Sequence, residues 1–309
     1  MAILLISTVG PMAPWAKGLS DSFPDDEVRC YPEIGNPAEI EIAVMAHPRP
    51  GIFARMTNLK LVIGLRAGID DVLGLPDLPA HVPVARAQEP GGDRMIDEYV
   101  LLHVMRHHRY MPDFIAAQAR GEWINPGVRF ADERAVGFMG LGINGLSAAR
   151  LMRDVGFRVA AWTRTRKNEP GIESFHGTDG LTPFLARTEI LVNLLAVTPE
   201  TAGIIDARTL SLLPKGASVI NVGRGEHLVD DDLVAALDSG HLHSATLDVF
   251  RTEPLPAGHP FWHHPRITVM PHTARRPRAT RIIPQAVENI HRFRAGEPLM
   301  QPVERERGY

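Results

Sequence analysis

The chain has 309 residues, 44% of them apolar and 22% charged, and a formal net charge of -3. That length points to about two domains, and the charge balance excludes a global attraction to nucleic acid or to an anionic membrane. No run reaches the roughly 18–20 apolar residues that span a bilayer, and the single cysteine, Cys30, allows no intrachain disulfide, in keeping with a reducing, cytoplasmic setting.

The apolar start Ala2–Ile6 has no basic flank and is followed by Pro11 and Pro14, so it reads as a buried strand rather than a signal peptide. Further strands are expected at Ile42–Ala46 and Leu59–Leu65, each closed by a turn residue. The chain breaks at Glu89-Pro90-Gly91-Gly92. A long helix then follows over Met95–His108, with Ile96, Tyr99, Val100, His103 and Val104 on one face. Gly121, Trp123, Pro126 and Gly127 make 120–132 irregular.

From Arg134 a second strand–helix series begins, with strands at Ala135–Met139, Arg158–Trp162, Ile190–Leu195, Ser218–Val222, Ser244–Asp248 and Ile267–Met270. A last helix covers about Arg278–Arg294 and ends at Gly296. Alternating strands and helices imply an α/β fold with two Rossmann-like domains of parallel sheet, one flavodoxin-like and one dinucleotide-binding, and a cleft between them. The expected division is 1–97 plus 276–309 for a substrate domain and 98–275 for an NADP-binding domain.

Gly140-Leu141-Gly142-Ile143-Asn144-Gly145 matches G-x-G-x-x-G. Alone it is weak. Here it follows a strand and opens a helix, so the glycines permit a tight turn and a close approach to a pyrophosphate at the helix N-terminus. An NAD site places an acid at the end of the next strand. This strand ends instead in Trp162-Thr163-Arg164-Thr165-Arg166-Lys167. A guanidinium binds a 2′-phosphate through paired charge-assisted bonds, whereas a carboxylate repels it, so NADP(H) is expected, with Arg164 and Thr165 as the main partners.

Three later strands end in polar residues where a ligand would meet the carboxyl edge of the sheet. They run into Asn221-Val222-Gly223-Arg224-Gly225, into Leu247-Asp248-Val249-Phe250 and on to Glu253-Pro254, and into Pro271-His272-Thr273-Ala274. The spacings are 29 residues from Arg224 to Glu253 and 19 from Glu253 to His272.

With these motifs in order, the chain resembles the D-isomer-specific 2-hydroxyacid dehydrogenases, and within them the glyoxylate/hydroxypyruvate reductase branch. The resemblance is strongest over residues 134–274 and extends to the tail Glu304-Arg305-Glu306-Arg307-Gly308-Tyr309. It implies NADPH-dependent reduction of a small 2-ketoacid. Arg224 would bind the carboxylate and polarise the carbonyl, and His272 would act as general acid. Glu253 would orient the imidazole and favour its protonated form, and Asp248 would hold the nicotinamide carboxamide. The loop Arg66-Ala67-Gly68 would face the substrate carboxylate; Arg66 either adds charge there or caps its strand. Motifs and resemblance together give a cofactor set of Gly140, Gly142, Ile143, Asn144, Gly145, Trp162, Thr163, Arg164, Thr165, Leu195, Val222, Gly223, Arg224, Asp248, His272 and Ala274.

Two departures from the branch stand out. Arg275 and Arg276 follow the last motif, and either favour a second anionic group on the substrate or pair with acids elsewhere. Ala196 stands where relatives carry Pro, in a loop 194–199 still expected to lie along the cofactor. The pairs His107-His108 and His263-His264 lack zinc-site spacing, so no metal is expected. The resemblance also implies a homodimer built around 95–132, with Trp123 either reaching the partner's cleft or anchoring the interface. Two other readings are a reductase of another 2-ketoacid, such as phenylpyruvate or a sugar-derived one, and a non-catalytic NAD(P)-sensing protein like the family's corepressors.

Overall fold

The computed structural model describes residues 1–7, 11–89 and 91–307. Pro90 of the expected chain break, and Gly308 and Tyr309 of the tail, lie outside the described residues. The chain forms two units, 1–90 with 277–309, and 91–276.

In the first unit, five parallel strands among the described residues are ordered β2-β1-β3-β4-β5, the flavodoxin-like order. They are β1 (Ala2–Ser7), β2 (Glu27–Cys30), β3 (Ile40–Ala46), β4 (Leu61–Gly64) and β5 (Val84–Arg86). Strand residues alternate between two cores, as the pleat requires. Leu4, Ile6, Ala43, Met45 and Val62 enter one core, and Ile3, Leu5, Ile42, Val44 and Ile63 enter the other. The second core is closed by α1 (Ala13–Ser22) and by α9 (Ala279–Ala295), which buries Ile282, Ile283, Ala286 and Ile290. A short helix, α2 (Asp70–Leu73), follows β4.

The second unit holds seven parallel strands among the described residues, ordered β12-β11-β10-β9-β6-β7-β8. They are β6 (Ala135–Met139), β7 (Arg158–Thr163), β8 (Ile172–His176), β9 (Ile190–Asn193), β10 (Ala217–Asn221), β11 (Leu242–Leu247) and β12 (Ile267–Val269). On one face, α3 (Arg94–His108) and α5 (Ile143–Val155) pack Val100, Val104, Ala148 and Met152 over Val136, Phe138, Val192 and Ile220. On the other, α6 (Gly177–Leu185), α7 (Ala207–Leu212) and α8 (Asp230–Asp238) supply Phe184, Leu210, Leu233 and Leu237. A further helix, α4 (Met111–Arg120), follows α3.

The α3 face expected from the sequence is the buried one. Asp93 caps that helix, its carboxylate accepting the Met95 N–H at 3.0 Å. The helix therefore starts at Arg94, and the division expected at 97/98 falls within it. Three strands escaped the sequence reading, β2, β5 and β8. Each is an edge strand of three to five residues without a continuous apolar run. Among the described residues no helix is long and apolar enough to cross a membrane.

Candidate active site

Because every pairing in the second sheet is parallel, all its strands deliver their following loops to one edge. The strand order sets the sequence of loops along that edge. His272 follows β12, Asp248 and Glu253 follow β11, Arg224 follows β10, Leu195 follows β9, the glycine loop follows β6 and the basic loop follows β7. The order reverses between β9 and β6, the switch point where ligands enter open α/β sheets.

At that point Gly140 adopts φ +97, and a Cβ there would stand 3.0 Å from the Leu194 carbonyl oxygen, so only glycine fits the turn. A Cβ on Gly145 would meet the Gly140 oxygen at 2.1 Å, which draws α5 close against the strand. Gly142 is different: a Cβ there would point into open space, with no atom from elsewhere in the fold within 4 Å. It is the N-cap of α5, beside Ile143, and has no side-chain cap. An open glycine at a helix N-terminus is a cradle for an anion, and the residues present fit a dinucleotide pyrophosphate. Asn144 is engaged within the protein, accepting the Asp93 N–H at 3.1 Å.

In the basic loop the Trp162 indole donates to the Gly177 carbonyl at 2.8 Å, and the Thr163 hydroxyl donates to the Thr165 carbonyl at 2.7 Å. These bonds shape the loop and leave Arg164 and Thr165 on the surface. Bonding by Thr198 first, and the charge of Arg164 in addition, hold the Glu200 carboxyl below the usual range.

The Arg224 loop is fastened by buried side chains. The Asn221 amide donates to the Arg224 carbonyl at 3.0 Å, and the His227 Nδ1 accepts the Arg224 N–H at 3.1 Å. Arg224 also folds one guanidinium nitrogen onto the Gly223 carbonyl at 2.9 Å. A Cβ on Gly225 would fall 1.9 Å from the Phe250 carbonyl carbon, so the loop packs directly on the backbone after β11. Val222 and Gly223 are buried beneath it.

His272 takes φ +50, a left-handed conformation that costs a non-glycine residue about 1–2 kcal/mol. Its neighbours impose it. The His272 N–H bonds the Asp248 carbonyl at 2.8 Å, and the Asp248 carboxylate accepts the N–H groups of Thr273 at 2.7 Å and Ala274 at 3.0 Å. Asp248 is buried and holds this turn. The imidazole Nδ1 stands 2.7 Å from Glu253 Oε2, and Glu253 Oε1 accepts the Phe250 N–H at 2.9 Å. The carboxylate is thereby fixed and fixes the ring.

Of the two open readings for Arg275, the structure shows pairing with an acid. Arg275 Nε meets Asp93 Oδ2 at 2.5 Å, both side chains being about nine-tenths buried. In the first unit, Arg66, Ala67 and Gly68 follow β4 at the carboxyl edge of that sheet. Arg66 donates to His47 Nδ1 at 3.0 Å and lies 3.7 Å from Asp71. His107 is buried between the hydroxyls of Ser244 and Thr246, at 2.9 and 3.0 Å, and among the described residues no cluster of three or more His, Cys, Asp or Glu is placed to hold a metal.

The sequence reading gave no role to Asn193, Asn221 and His227, which together hold the Arg224 loop. A signal was present. Two buried strands, Ile190-Leu191-Val192-Asn193 and Ala217-Ser218-Val219-Ile220-Asn221, both end in a fully buried asparagine.

The model of the D-isomer specific 2-hydroxyacid dehydrogenase, NAD binding domain, matches residues 101–274, and the chain belongs to that family. Among its relatives is the glyoxylate/hydroxypyruvate reductase A of Serratia proteamaculans, 38% identical over 288 residues that cover 92% of each chain. A crystal structure of a D-isomer specific 2-hydroxyacid dehydrogenase from Xanthobacter autotrophicus Py2, in complex with NADPH and MES, superposes with a TM-score of 0.95. It is 42% identical and covers 100% of this chain and 99% of its own. The NADPH-dependent glyoxylate/hydroxypyruvate reductase of Sinorhizobium meliloti, in complex with NADP and sulfate, gives a TM-score of 0.93 at 33% identity, covering 100% and 99%.

Proposed function

We propose that the chain is an NADPH-dependent reductase of small 2-ketoacids, converting glyoxylate to glycolate and hydroxypyruvate to D-glycerate. The observation that carries this reading is the placement of Arg224, Glu253 and His272 at the ends of three adjacent strands, β10, β11 and β12, on the edge that also bears the glycine loop. The named activities of the Serratia and Sinorhizobium relatives support it.

In this mechanism Gly142 and the N-terminus of α5 hold the pyrophosphate, and Arg164 and Thr165 hold the 2′-phosphate. The bound dihydronicotinamide supplies the hydride. Arg224 binds the ketoacid carboxylate and polarises the carbonyl, its planar set of donors matching both oxygens. His272 keeps Nδ1 on Glu253 and delivers the Nε2 proton to the carbonyl oxygen, completing the alcohol. Asp248 acts on the chemistry by fixing the His272 turn and the carboxamide end of the cofactor.

The test is the loss of absorbance at 340 nm with glyoxylate or hydroxypyruvate. Turnover with NADPH far above that with NADH is expected. Cofactor binding without turnover of any short ketoacid would overturn the reading.

The same reading makes the protein a cytoplasmic homodimer, set where NADPH is maintained. Seven of the ten large apolar residues exposed among those described fall between 102 and 130, including Leu102, Phe114, Ile115, Val128, Phe130 and the fully exposed Trp123. Soluble monomers rarely leave so much apolar surface in one segment. Light scattering should give twice the chain mass, and Trp123→Asp should shift it toward the monomer.

A further inference from the structure

We propose that His227 is a positioning residue for the reduction, a neutral imidazole that locks the backbone of the substrate-binding arginine to the loop bordering the cofactor. The proposal rests on the reading of Arg224 as the ketoacid anchor.

His227 is completely buried in the turn that follows Arg224. Its Nδ1 accepts the Arg224 backbone N–H at 3.1 Å. A backbone N–H can only donate, so Nδ1 carries no proton and the ring proton sits on Nε2. That nitrogen is 3.2 Å from the Ala196 carbonyl, an obligate acceptor. Both partners therefore demand one tautomer, and burial holds the ring's pKa below the ordinary histidine value.

Two asparagines complete the lock. Asn193 Nδ2 shares the His227 Nδ1 at 2.9 Å and bonds Asn221 Oδ1 at 2.9 Å, while Asn193 Oδ1 accepts the Leu195 N–H at 3.2 Å. Asn221 in turn holds the Arg224 carbonyl. Both backbone polar groups of Arg224 are thus held by side chains. Through Ala196 the same ring reaches the loop whose Leu194 carbonyl packs against Gly140. One imidazole spans the anchor of the substrate and the border of the cofactor, with a different ring atom facing each.

The two atoms are separable. Asn in place of His227 keeps an acceptor near Nδ1 and loses the link to Ala196; Gln keeps a donor near Nε2 and loses the hold on Arg224. His227→Gln should raise KM for glyoxylate roughly tenfold, the effect of one lost buried hydrogen bond, with kcat and NADPH affinity within about twofold of the parent. His227→Asn should do the reverse, leaving KM for glyoxylate and weakening NADPH binding severalfold, read by nucleotide fluorescence. In the unmodified protein, nitrogen-15 histidine spectra at pH 7 should show His227 as the Nε2–H tautomer, with His227→Asn assigning the signal. An Nδ1–H or doubly protonated ring would overturn the proposal. So would two variants that lower kcat alike while sparing both affinities, which is how a merely structural residue would behave. An unmodified protein that turns over while His227→Gln keeps its KM removes the role of His227 alone; one that reduces no short ketoacid removes both this role and the reductase reading.

Discussion

Glu253 binds with both carboxylate oxygens at once, Oε2 to the His272 imidazole at 2.7 Å and Oε1 to the Phe250 N–H at 2.9 Å. The second bond prevents the carboxylate from turning away, so the ring it holds has one orientation. Glu253→Gln retains a partner for Phe250 and for the ring but removes the charge that balances a protonated imidazole. It should lower kcat for ketoacid reduction by about 10- to 100-fold with little change in KM. Steady-state kinetics with glyoxylate check this, and an unchanged kcat would remove Glu253 from the mechanism.

Cofactor choice should reside in the loop after β7. Arg164→Ala should raise KM for NADPH about tenfold or more, the loss of charge-assisted bonds to a phosphate, while leaving KM for NADH within about twofold. The ratio of the two is the measurement, and an unaltered ratio would move the 2′-phosphate elsewhere.

The glycines of the motif should respond unequally to alanine. Gly142 has open space around its Cβ position, so Gly142→Ala should leave the melting temperature nearly unchanged yet weaken NADPH binding about tenfold or more. In Gly225→Ala the new methyl would sit 1.9 Å from backbone of Phe250, which cannot yield as a side chain can. That variant should lose about 3 kcal/mol of stability or more. Thermal melts and nucleotide titrations separate the two cases.

Arg275 and Asp93 form a buried pair in which the acid also caps α3 and donates its N–H to Asn144. Removing one member leaves a buried charge uncompensated, so Arg275→Ala should destabilise the fold by about 3–5 kcal/mol. Urea unfolding reads this directly. Loss of activity without loss of stability would instead return Arg275 to the substrate.

Stability should fall on acidification. Burial is the leading cause that lowers four histidines, His103 to about 4, His107 to about 3, and His108 and His227 in the same direction. In the unfolded chain each protonates near pH 6.5. Below that value the unfolded state takes up protons that the folded state refuses, so unfolding becomes easier as pH drops toward about 4 and is little affected by these groups above pH 7. His103 and His107 each contribute up to about 1.4 kcal/mol per pH unit within the window. Urea midpoints at pH 7.5, 6.0 and 5.0 should decline in that order; equal midpoints would contradict buried neutral rings.

Where a motif is local, sequence alone located it. The glycine turn, the acid-free end of β7, and the polar ends of β10, β11 and β12 are each written in a few consecutive residues, because a strand end, a turn and a helix start are short-range events. The face of α3 was legible for the same reason, since its period is carried by the segment itself. The short edge strands β2, β5 and β8 were not, because a strand exposed along one side needs no continuous apolar run.

What joins distant segments was decided only in three dimensions. Position 93 meets position 275 across 182 residues, and this turns Arg275 from a possible substrate ligand into a structural partner of the α3 cap. Asp248 shows its hold on the 273–274 backbone only when β11 and β12 lie side by side. His227 is one unremarked letter after the Arg224 motif until the ends of β9 and β10 bring two asparagines against it. The sequence by itself determined which chemical groups stand at the carboxyl edge, because strand-end motifs are local. The tertiary structure decided which of them hold others in place, because a buried polar group must find its partner wherever in the chain that partner lies.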